Sequence, residues 1–445
     1  MPMPAESIPA RIAGSCAAVR PGTPADAVGG VQPRIVGAPA STSEASTLLR
    51  AASELGLAVV PRGSGSRLHW GHPPERCDLV VDTTGLDEVV EHASGDLVAS
   101  VQAGVRMDRL AEVLAAAGQR LALDPPAADG EAAGRGTVGG VLATGAAGPL
   151  RLRYGTGRDL LIGITVIRAD GTIARSGGKV VKNVAGYDLG KLFAGSRGTL
   201  GLITQATFRL HPLPPLTRYV SAVCGDARAA CQALAAAMGP ATSPVAADVF
   251  WPAAAQPVHA CVALEGDPSS AGSRAAAVAG LLAQHGETSV LAEPPSWWGA
   301  GPASQRGGTV LQIGFWPGDL ARVLTELRDA AGVAGLDPAV AGSAAGHLCA
   351  ALPADADPAA VAACVTALRG ALGQTEQARQ AGGAQHLSAG GPPARASVVV
   401  QHAMPAVGAQ VDLFGPVPSL PLMRAIKAQF DPDRRMAPGR FAGGI

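Results

Sequence analysis

The stretch RIVGAPASTSEASTLLRAASELGLAVVPRGSGSRL, residues 34–68, decides the fold of the first part of the chain. Residues 34–36 are predicted to form a strand, and Ser41 with Glu44 three positions later makes a capping box that starts a helix. Leucines follow at helical spacing until a glycine stops the helix, and residues 57–60 are predicted as a second strand. The pattern predicts a β-α-β unit that ends in a glycine-rich loop.

Beyond this unit, the patterns predict an α+β fold in two parts. Strand patterns and a hairpin that turns at Asp170-Gly171 continue until the prolines between 212 and 215 end the first domain. Strand and helix patterns then alternate, which predicts a smaller antiparallel sheet with helices on one face. We expect a loosely ordered segment at 1–33, domains at 34–215 and 216–410, and a tail at 411–445 that returns to the first domain.

Composition excludes several classes of function. The formal net charge of the 445 residues is zero, which argues against a nucleic-acid partner. No segment has the apolar length of a membrane span, and the first residues lack the pattern of a secretory signal. Seven scattered cysteines without a Cys-x-x-Cys pair indicate reduced thiols, and they offer neither an iron–sulfur cluster nor a zinc site. We therefore expect no bound metal and a cytoplasmic protein.

Two glycine-rich segments are candidate binding sites. In PRGSGSRLHWG (61–71), Gly63 and Gly65 follow a strand, and such a turn can point backbone N–H groups at a phosphate. The third glycine of a dinucleotide fingerprint would fall at Leu68, so a tight surface turn is the alternative. In GTVGGVLATG (136–145), small residues open a helix, which suits either a flat ligand or close packing of the helix on a sheet.

These segments occur in a familiar order with AGPLRLRYGTGRDLLIG (147–163) and VKNVAGYDLGKLFAGSRGTLGLIT (181–204). Together they resemble the PCMH-type FAD-binding domain of the vanillyl-alcohol-oxidase family. More narrowly, they resemble the FAD-binding E subunits of bacterial glycolate oxidases. FDPDRRMAPGRF (430–441) resembles the closing motif of those subunits, with Ala437 where asparagine is usual. The resemblance covers residues 34–215 and 412–445 and is weak between them.

The resemblance implies a role for each matching residue. One group would wrap the FAD pyrophosphate through backbone N–H groups: Arg62, Gly63, Ser64, Gly65 and Ser66. A second group would line the flavin and the ribityl chain: Thr137, Gly139, Gly140, Thr144 and Gly145, with Tyr154 and Gly155 nearby. Ile203 would contact the adenine side. Ser66 stands where members that attach FAD covalently often have histidine, so the resemblance implies non-covalent FAD.

Lysines cluster in GGKVVKNVAGYDLGK (177–191), which holds three of the four lysines of the chain. The resemblance places Lys179 and Lys182, with Asn183, Tyr187 and Asp188, beside the flavin edge. The alternatives are chance clustering and surface ion pairs with nearby acids. For Lys191 we favour a surface ion pair.

The resemblance also implies a function, namely the FAD-binding subunit of a complex that oxidises glycolate to glyoxylate. Related 2-hydroxyacid dehydrogenases carry a His-x-His pair in the second domain, and this chain has none. Its partners would therefore be a catalytic flavin subunit and an iron–sulfur subunit, through which it could reach the inner membrane. Trp297-Trp298 would either anchor a partner or fold back into the domain. The alternatives are a self-sufficient FAD-dependent D-2-hydroxyacid dehydrogenase and a non-catalytic flavoprotein scaffold. The catalytic residues stay unassigned.

Overall fold

Two units make up the protein in the computed structural model, which describes residues 10–127, 134, 136–179, 187–301, 308–373 and 396–445. The first unit comprises residues 1–147, 155–213 and 418–445, and the second comprises residues 148–154 and 214–417. Residues 418–445 belong to the first unit, whereas residues 411–417, which we placed in the tail, belong to the second. The segment 148–154, which we placed in the first domain, belongs to the second unit.

The first unit contains two main sheets. Its strands are β1 (Ala18–Pro21), β2 (Ile35–Ala38), β3 (Val59–Arg62), β4 (Leu79–Asp82), β5 (Val89–Ala93), β6 (Val98–Gln102), β7 (Gln119–Arg120), β8 (Leu161–Ile167), β9 (Ile173–Gly177), β10 (Leu202–Arg209) and β11 (His211–Pro212). Its helices are α1 (Ala10–Ala13), α2 (Thr42–Glu54), α3 (Met107–Ala115), α4 (Val138–Thr144), α6 (Gly157–Leu160) and α12 (Leu420–Phe430). The first sheet has the order β1-β2-β4-β3 and the second has the order β5-β6-β10-β8-β9.

The β-α-β unit is present as predicted. Strands β2 and β3 both pair in parallel with β4, and α2 connects them. Ser41 caps α2 by accepting a hydrogen bond from the backbone N–H of Glu44 at 3.1 Å. The Glu44 carboxylate accepts in return from the N–H of Ala40 at 3.1 Å. Local sequence signals were therefore sufficient here, because each acts within four residues.

The prediction that residues 1–33 are loosely ordered is wrong for residues 10–33. Strand β1 extends the first sheet by antiparallel pairing with β2. Ile12 and Val28 are completely buried, and both belong to hydrophobic clusters of the first unit. Composition failed because a few apolar side chains and one edge strand suffice to fix a Pro- and Gly-rich segment. Residues 1–9 lie outside the described residues.

The second unit is an antiparallel sheet with helices packed against it. Its strands are β12 (Leu216–Cys224), β13 (Ala246–Trp251), β14 (Val258–Gly266), β15 (Gly286–Leu291), β16 (Thr309–Gly314), β17 (Ala339–Ser343), β18 (His347–Leu352) and β19 (Ser397–His402). Its helices are α5 (Arg151–Tyr154), α7 (Ala227–Ala237), α8 (Pro268–Leu282), α9 (Leu320–Val333), α10 (Pro358–Ala371) and α11 (Pro405–Gly408). The strand order is β15-β12-β14-β13-β17-β18-β16-β19.

Helices α7 and α8 cover one face of this sheet by packing on β12 and β14. Alternate residues of β12 and β14 that point to that face, such as Val220, Ala222 and Val262, are fully buried. The architecture agrees with the α+β prediction. In the part of the chain that the structure describes, no helix is both long and apolar enough to cross a membrane.

Candidate functional site

The glycine-rich loop that follows β3 is shaped by two glycines with different constraints. Gly65 has a φ of +77°, a conformation that side chains rarely adopt, although the space around it is open. At Gly63 a Cβ atom would lie 2.2 Å from the Oγ1 of Thr137, so only glycine fits. The loop therefore runs directly against the start of α4.

Helix α4 begins where this loop approaches it. Thr137 is the N-cap residue, and its buried hydroxyl accepts a hydrogen bond from the N–H of Gly140 at 3.3 Å. A Cβ atom at Gly139 would come within 2.7 Å of the Cβ of Ala103, and its N–H donates to the Ala103 carbonyl at 2.8 Å. Gly139 thus lets the helix pack closely on the chain that leaves β6, which was the structural alternative for this segment.

One cavity of the first unit collects most of the predicted site residues. Its walls include ten of them: Arg62, Gly63, Ser64, Gly65, Ser66, Thr137, Gly139, Gly140, Thr144 and Ile203. Loop and helix, although more than 70 positions apart in sequence, therefore form one surface. The cavity is a concave site in which backbone groups of a glycine-rich turn are accessible to a ligand.

Three predicted site residues do not line this cavity. Gly145 ends α4 with a φ of +68°. Gly155 has a φ of +79° and lies against Asp159, so that a Cβ there would be 2.7 Å from the Cβ of Asp159. Tyr154 belongs to the second unit, where its hydroxyl donates to the carboxylate of Glu265 at 2.8 Å. The structure gives local packing reasons for all three.

Positive charge dominates the cavity, and sequence analysis missed most of it. Besides Arg62, the lining includes Arg67, Arg197 and Arg440, and no acidic side chain is found among the described lining residues. Arg62 is fixed by ion pairs with Asp26 at 2.9 Å and Asp82 at 2.8 Å.

Burial lowers the pKa of three of these guanidinium groups to about 10, namely those of Arg67, Arg197 and Arg440. Each therefore stays charged at neutral pH but is poorly solvated. A cavity with this charge and with glycine backbone at its wall fits the pyrophosphate of a dinucleotide. Arg62 was predicted for its backbone N–H alone, and its guanidinium, neutralised by Asp26 and Asp82, fixes the start of the loop rather than adding net charge.

Two lysines of the segment 177–191 form ion pairs with nearby acidic side chains in the described part of the chain. Lys179 forms an ion pair with Glu91, and Lys191 forms one with Asp188 at 3.3 Å, as we favoured for Lys191. Tyr187 is 90% exposed. Lys182 and Asn183 lie outside the described residues, so their placement beside a flavin stays a prediction.

The fourth lysine, Lys427, is buried in α12. Its ammonium group contacts the Asp431 carboxylate at 2.7 Å and donates to the carbonyls of Thr199 at 2.6 Å and Met436 at 2.9 Å. These bonds fix the returning tail on the first unit.

The second unit contains a buried histidine, His347, and a cluster of aromatic side chains around Trp297. Burial, with the charge of Arg151, lowers the pKa of His347 to about 3, and the His347 Nε2 lies 3.0 Å from the Nε2 of Gln312. Trp297 stacks on Phe250 with ring centroids 5.6 Å apart.

Trp298 packs edge-on against Tyr219 at 5.4 Å. Both tryptophans therefore fold back onto their own unit, which was the alternative to an exposed partner anchor. Within the described ranges, no group of three metal-ligating side chains is present.

Comparisons with known proteins address the family. Residues 33–177 match the model of the FAD binding domain. Glycolate oxidase subunit GlcD of Bacillus subtilis is 37% identical over 214 residues, which is 47% of this chain and 44% of that protein. The D-lactate dehydrogenase of Archaeoglobus fulgidus is 38% identical over 178 residues, which is 40% of this chain and 39% of that protein.

The chain thus spans less than half the length of these curated relatives. Among solved structures, that of p-cresol methylhydroxylase with substrate bound superposes with a TM-score of 0.68 at 15% identity. The superposition covers 92% of this chain and 89% of that one, so it shows a shared fold.

Proposed function

We propose, on the premise that residues 33–177 belong to the FAD binding domain family, that this protein binds FAD and oxidises a small 2-hydroxyacid. The observation that carries the proposal is the cavity beside Gly63 and Gly65. It combines a glycine-rich backbone at its wall with arginine side chains and has no acidic residue in its described lining. That combination suits a dinucleotide with two negative phosphates.

The residues that line the cavity would hold FAD in two ways. The loop from Arg62 to Ser66 would contact the pyrophosphate, and the start of α4 at Thr137 would lie along the rest of the cofactor. Ile203 would provide an apolar contact at the adenine side. Ser66 has no imidazole to form a bond to the flavin, so we propose that FAD is bound non-covalently.

When bound, FAD supplies a two-electron acceptor that takes a hydride from C2 of the 2-hydroxyacid while a base takes the hydroxyl proton, which leaves the 2-oxoacid. The chain's own contribution is to bind and orient the cofactor. The base is unassigned. His347, with its pKa lowered to about 3, is a weak proton acceptor at neutral pH.

A finer proposal is that the chain is an FAD-binding subunit of a glycolate-oxidase-type complex that converts glycolate to glyoxylate. The similarity to a protein named as a glycolate oxidase subunit supports it. The sequence also lacks a His-x-His pair and a cysteine run for an iron–sulfur cluster. Substrate activation and onward electron transfer would therefore depend on a second flavin subunit and an iron–sulfur subunit, in the cytoplasm or at the inner membrane.

A second candidate is a self-sufficient D-2-hydroxyacid dehydrogenase. Relatives named as D-lactate dehydrogenase, at 38% identity, and as D-2-hydroxyglutarate dehydrogenase, at 33% identity, favour it. The two candidates differ in what the isolated chain can do with substrate.

The deciding experiment is stopped-flow flavin reduction by glycolate and by D-lactate, with the FAD-loaded chain alone and with its co-purified partners. Slow reduction alone and fast reduction in the complex would support the subunit. Fast reduction of the isolated chain would overturn the subunit proposal in favour of the dehydrogenase. A purified protein that neither contains nor takes up FAD would refute both.

A further inference from the structure

We propose that Arg197 and Arg440 are the side chains that bind the pyrophosphate of FAD, so that cofactor binding fixes the C-terminal segment on the FAD binding domain. The C-terminal segment here means residues 431–445. This inference rests on the proposed function, because it takes FAD as the ligand of the cavity. It concerns two arginines to which the resemblance assigned no role, although Arg197 lies in the segment 181–204 and Arg440 in the closing motif 430–441.

Arg440 joins the C-terminal segment to the glycine-rich loop. Its side chain is only 6% exposed, and its Nη2 donates to the carbonyls of Leu68 at 2.5 Å and Trp70 at 2.9 Å. Its Nε is buried and has no hydrogen-bond partner in the part of the chain that the structure describes. A buried guanidinium N–H without an acceptor is costly, and an anionic oxygen in the cavity would remove that cost.

Arg197 is held at the same cavity by an unusual backbone. Its φ is +54°, between Gly195 at +82° and Gly198 at +77°. Its backbone N–H donates to the carbonyl of Ala143 in α4 at 2.7 Å. A long side chain in the left-handed region is disfavoured, and such residues concentrate at functional sites. The turn thus presents a side chain where glycine would be less strained.

The two arginines carry like charges in one poorly solvated place. The positive charge of Arg440 adds to burial in lowering the pKa of Arg197. Guanidinium groups match phosphate oxygens in a bidentate manner, and both charges would stabilise an anion that lies between them. A pyrophosphate, with two negative charges, complements this pair.

The Arg197 guanidinium also lies over the ring of Phe441, with 5.7 Å from its Cζ to the ring centroid. Phe441 directly follows Arg440, so both arginines contact the C-terminal segment or belong to it. An anion that binds both side chains would therefore tie the segment to the turn at Arg197 and to the loop at Leu68. Release of the cofactor would loosen the same contacts.

The test uses the full chain, stripped of FAD, in isothermal titrations with FAD and with ADP. Arg197→Met and Arg440→Met remove one charge each at nearly constant length. Arg209→Met, at an exposed arginine that ends β10, is the matched control. We expect both cavity variants to bind FAD and ADP roughly ten- to a hundred-fold more weakly, which is the range for one charge-assisted hydrogen bond, and the control to be unchanged. Arg197→Lys should recover part of the affinity.

A second readout separates binding from folding. The melting temperatures of the FAD-free parent, of both cavity variants and of Arg209→Met show whether a loss of affinity comes with a loss of folding. In hydrogen exchange, FAD should slow the amides of residues 431–445 in the parent and much less in Arg440→Met. Unchanged FAD affinity in both cavity variants would overturn the inference and leave FAD binding intact. A parent that binds ADP or inorganic phosphate but not FAD would overturn the proposed function itself.

Discussion

The contact between Gly63 and Thr137 allows a quantitative test of how the loop and helix α4 form one site. The perturbation is Gly63→Ala, alone and combined with Thr137→Ala. The new methyl group would lie 2.2 Å from the Thr137 Oγ1, whereas its distances to the Thr137 Cβ and Cγ2 would be 3.3 and 3.4 Å. The clash is therefore almost entirely with the hydroxyl oxygen, which is the atom that caps α4.

The expected energies follow from this geometry. Thr137→Ala removes an N-cap and should lower the free energy of unfolding by about 1 kcal/mol. Gly63→Ala should lower the free energy of unfolding by about 1–3 kcal/mol through overpacking, and it should also displace the same cap. In the double variant the clashing oxygen is absent, so the cost should fall back to about that of Thr137→Ala. The single Gly63→Ala should therefore be less stable than the double variant, a strongly non-additive cycle.

The assay is urea unfolding of the FAD-free variants, followed by FAD titration of each. Gly95→Ala serves as the control, since nothing lies within 4 Å of a Cβ at that position. It should change the unfolding free energy by no more than about 0.5 kcal/mol. Additive costs of the two substitutions, or full FAD affinity in Gly63→Ala, would show that the loop does not rest on the helix cap.

Three further predictions concern the same unit. Gly65→Val should fold but lose FAD, since a β-branched residue at a φ of +77° deforms the turn; stoichiometric yellow protein would contradict this. Acid precipitation should release all flavin into the supernatant because Ser66 cannot form the covalent bond, and flavin in the pellet would refute it. Arg20 foremost, with Arg62, holds the pKa of Asp26 well below its usual range. The ionised Asp26 carboxylate thus stabilises the fold above about pH 4, and this stabilisation is lost as the pH falls further. In Asp26→Asn the melting temperature should therefore decrease less between neutral and acid pH than in the parent.

Local signals made the first part of the fold predictable. The capping box at Ser41, the glycine stop of α2 and the turn at Asp170-Gly171 each act over a few residues, and the structure contains each element they predict. In the second unit, strand patterns were visible at 220–223, 247–251, 258–264 and 310–315, which correspond to β12, β13, β14 and β16, but not at β15, β17, β18 or β19. Short segments such as Ala339–Ser343 carry no periodicity of their own, and their pairing partners lie far away in sequence.

The candidate site was predictable only on its backbone side. The glycine-rich loop and the start of α4 were identified from local sequence, yet Arg440 meets that loop across 372 positions. Arg440 lies in the closing motif 430–441, but nothing in the local sequence indicates that its side chain reaches the glycine-rich loop. Local sequence does not indicate the contact of Lys427 either, because its partner carbonyl at Thr199 lies 228 positions away.

Glycine alone does not distinguish a ligand site from a packing site, and this limits what a motif can predict. Gly139 admits the close approach of α4 to the neighbouring chain, Gly145 ends that helix, and Gly155 lies against Asp159. All three sit in motifs that the resemblance assigns to the cofactor, yet each has a sufficient structural reason. Gly65 differs, because a Cβ there would meet only the Arg62 Cδ at 3.9 Å, so its positive φ rather than close packing calls for glycine. We therefore propose the anion site on the remote arginines, since packing explains a glycine but leaves the buried Nε of Arg440 without a hydrogen-bond partner among the described residues.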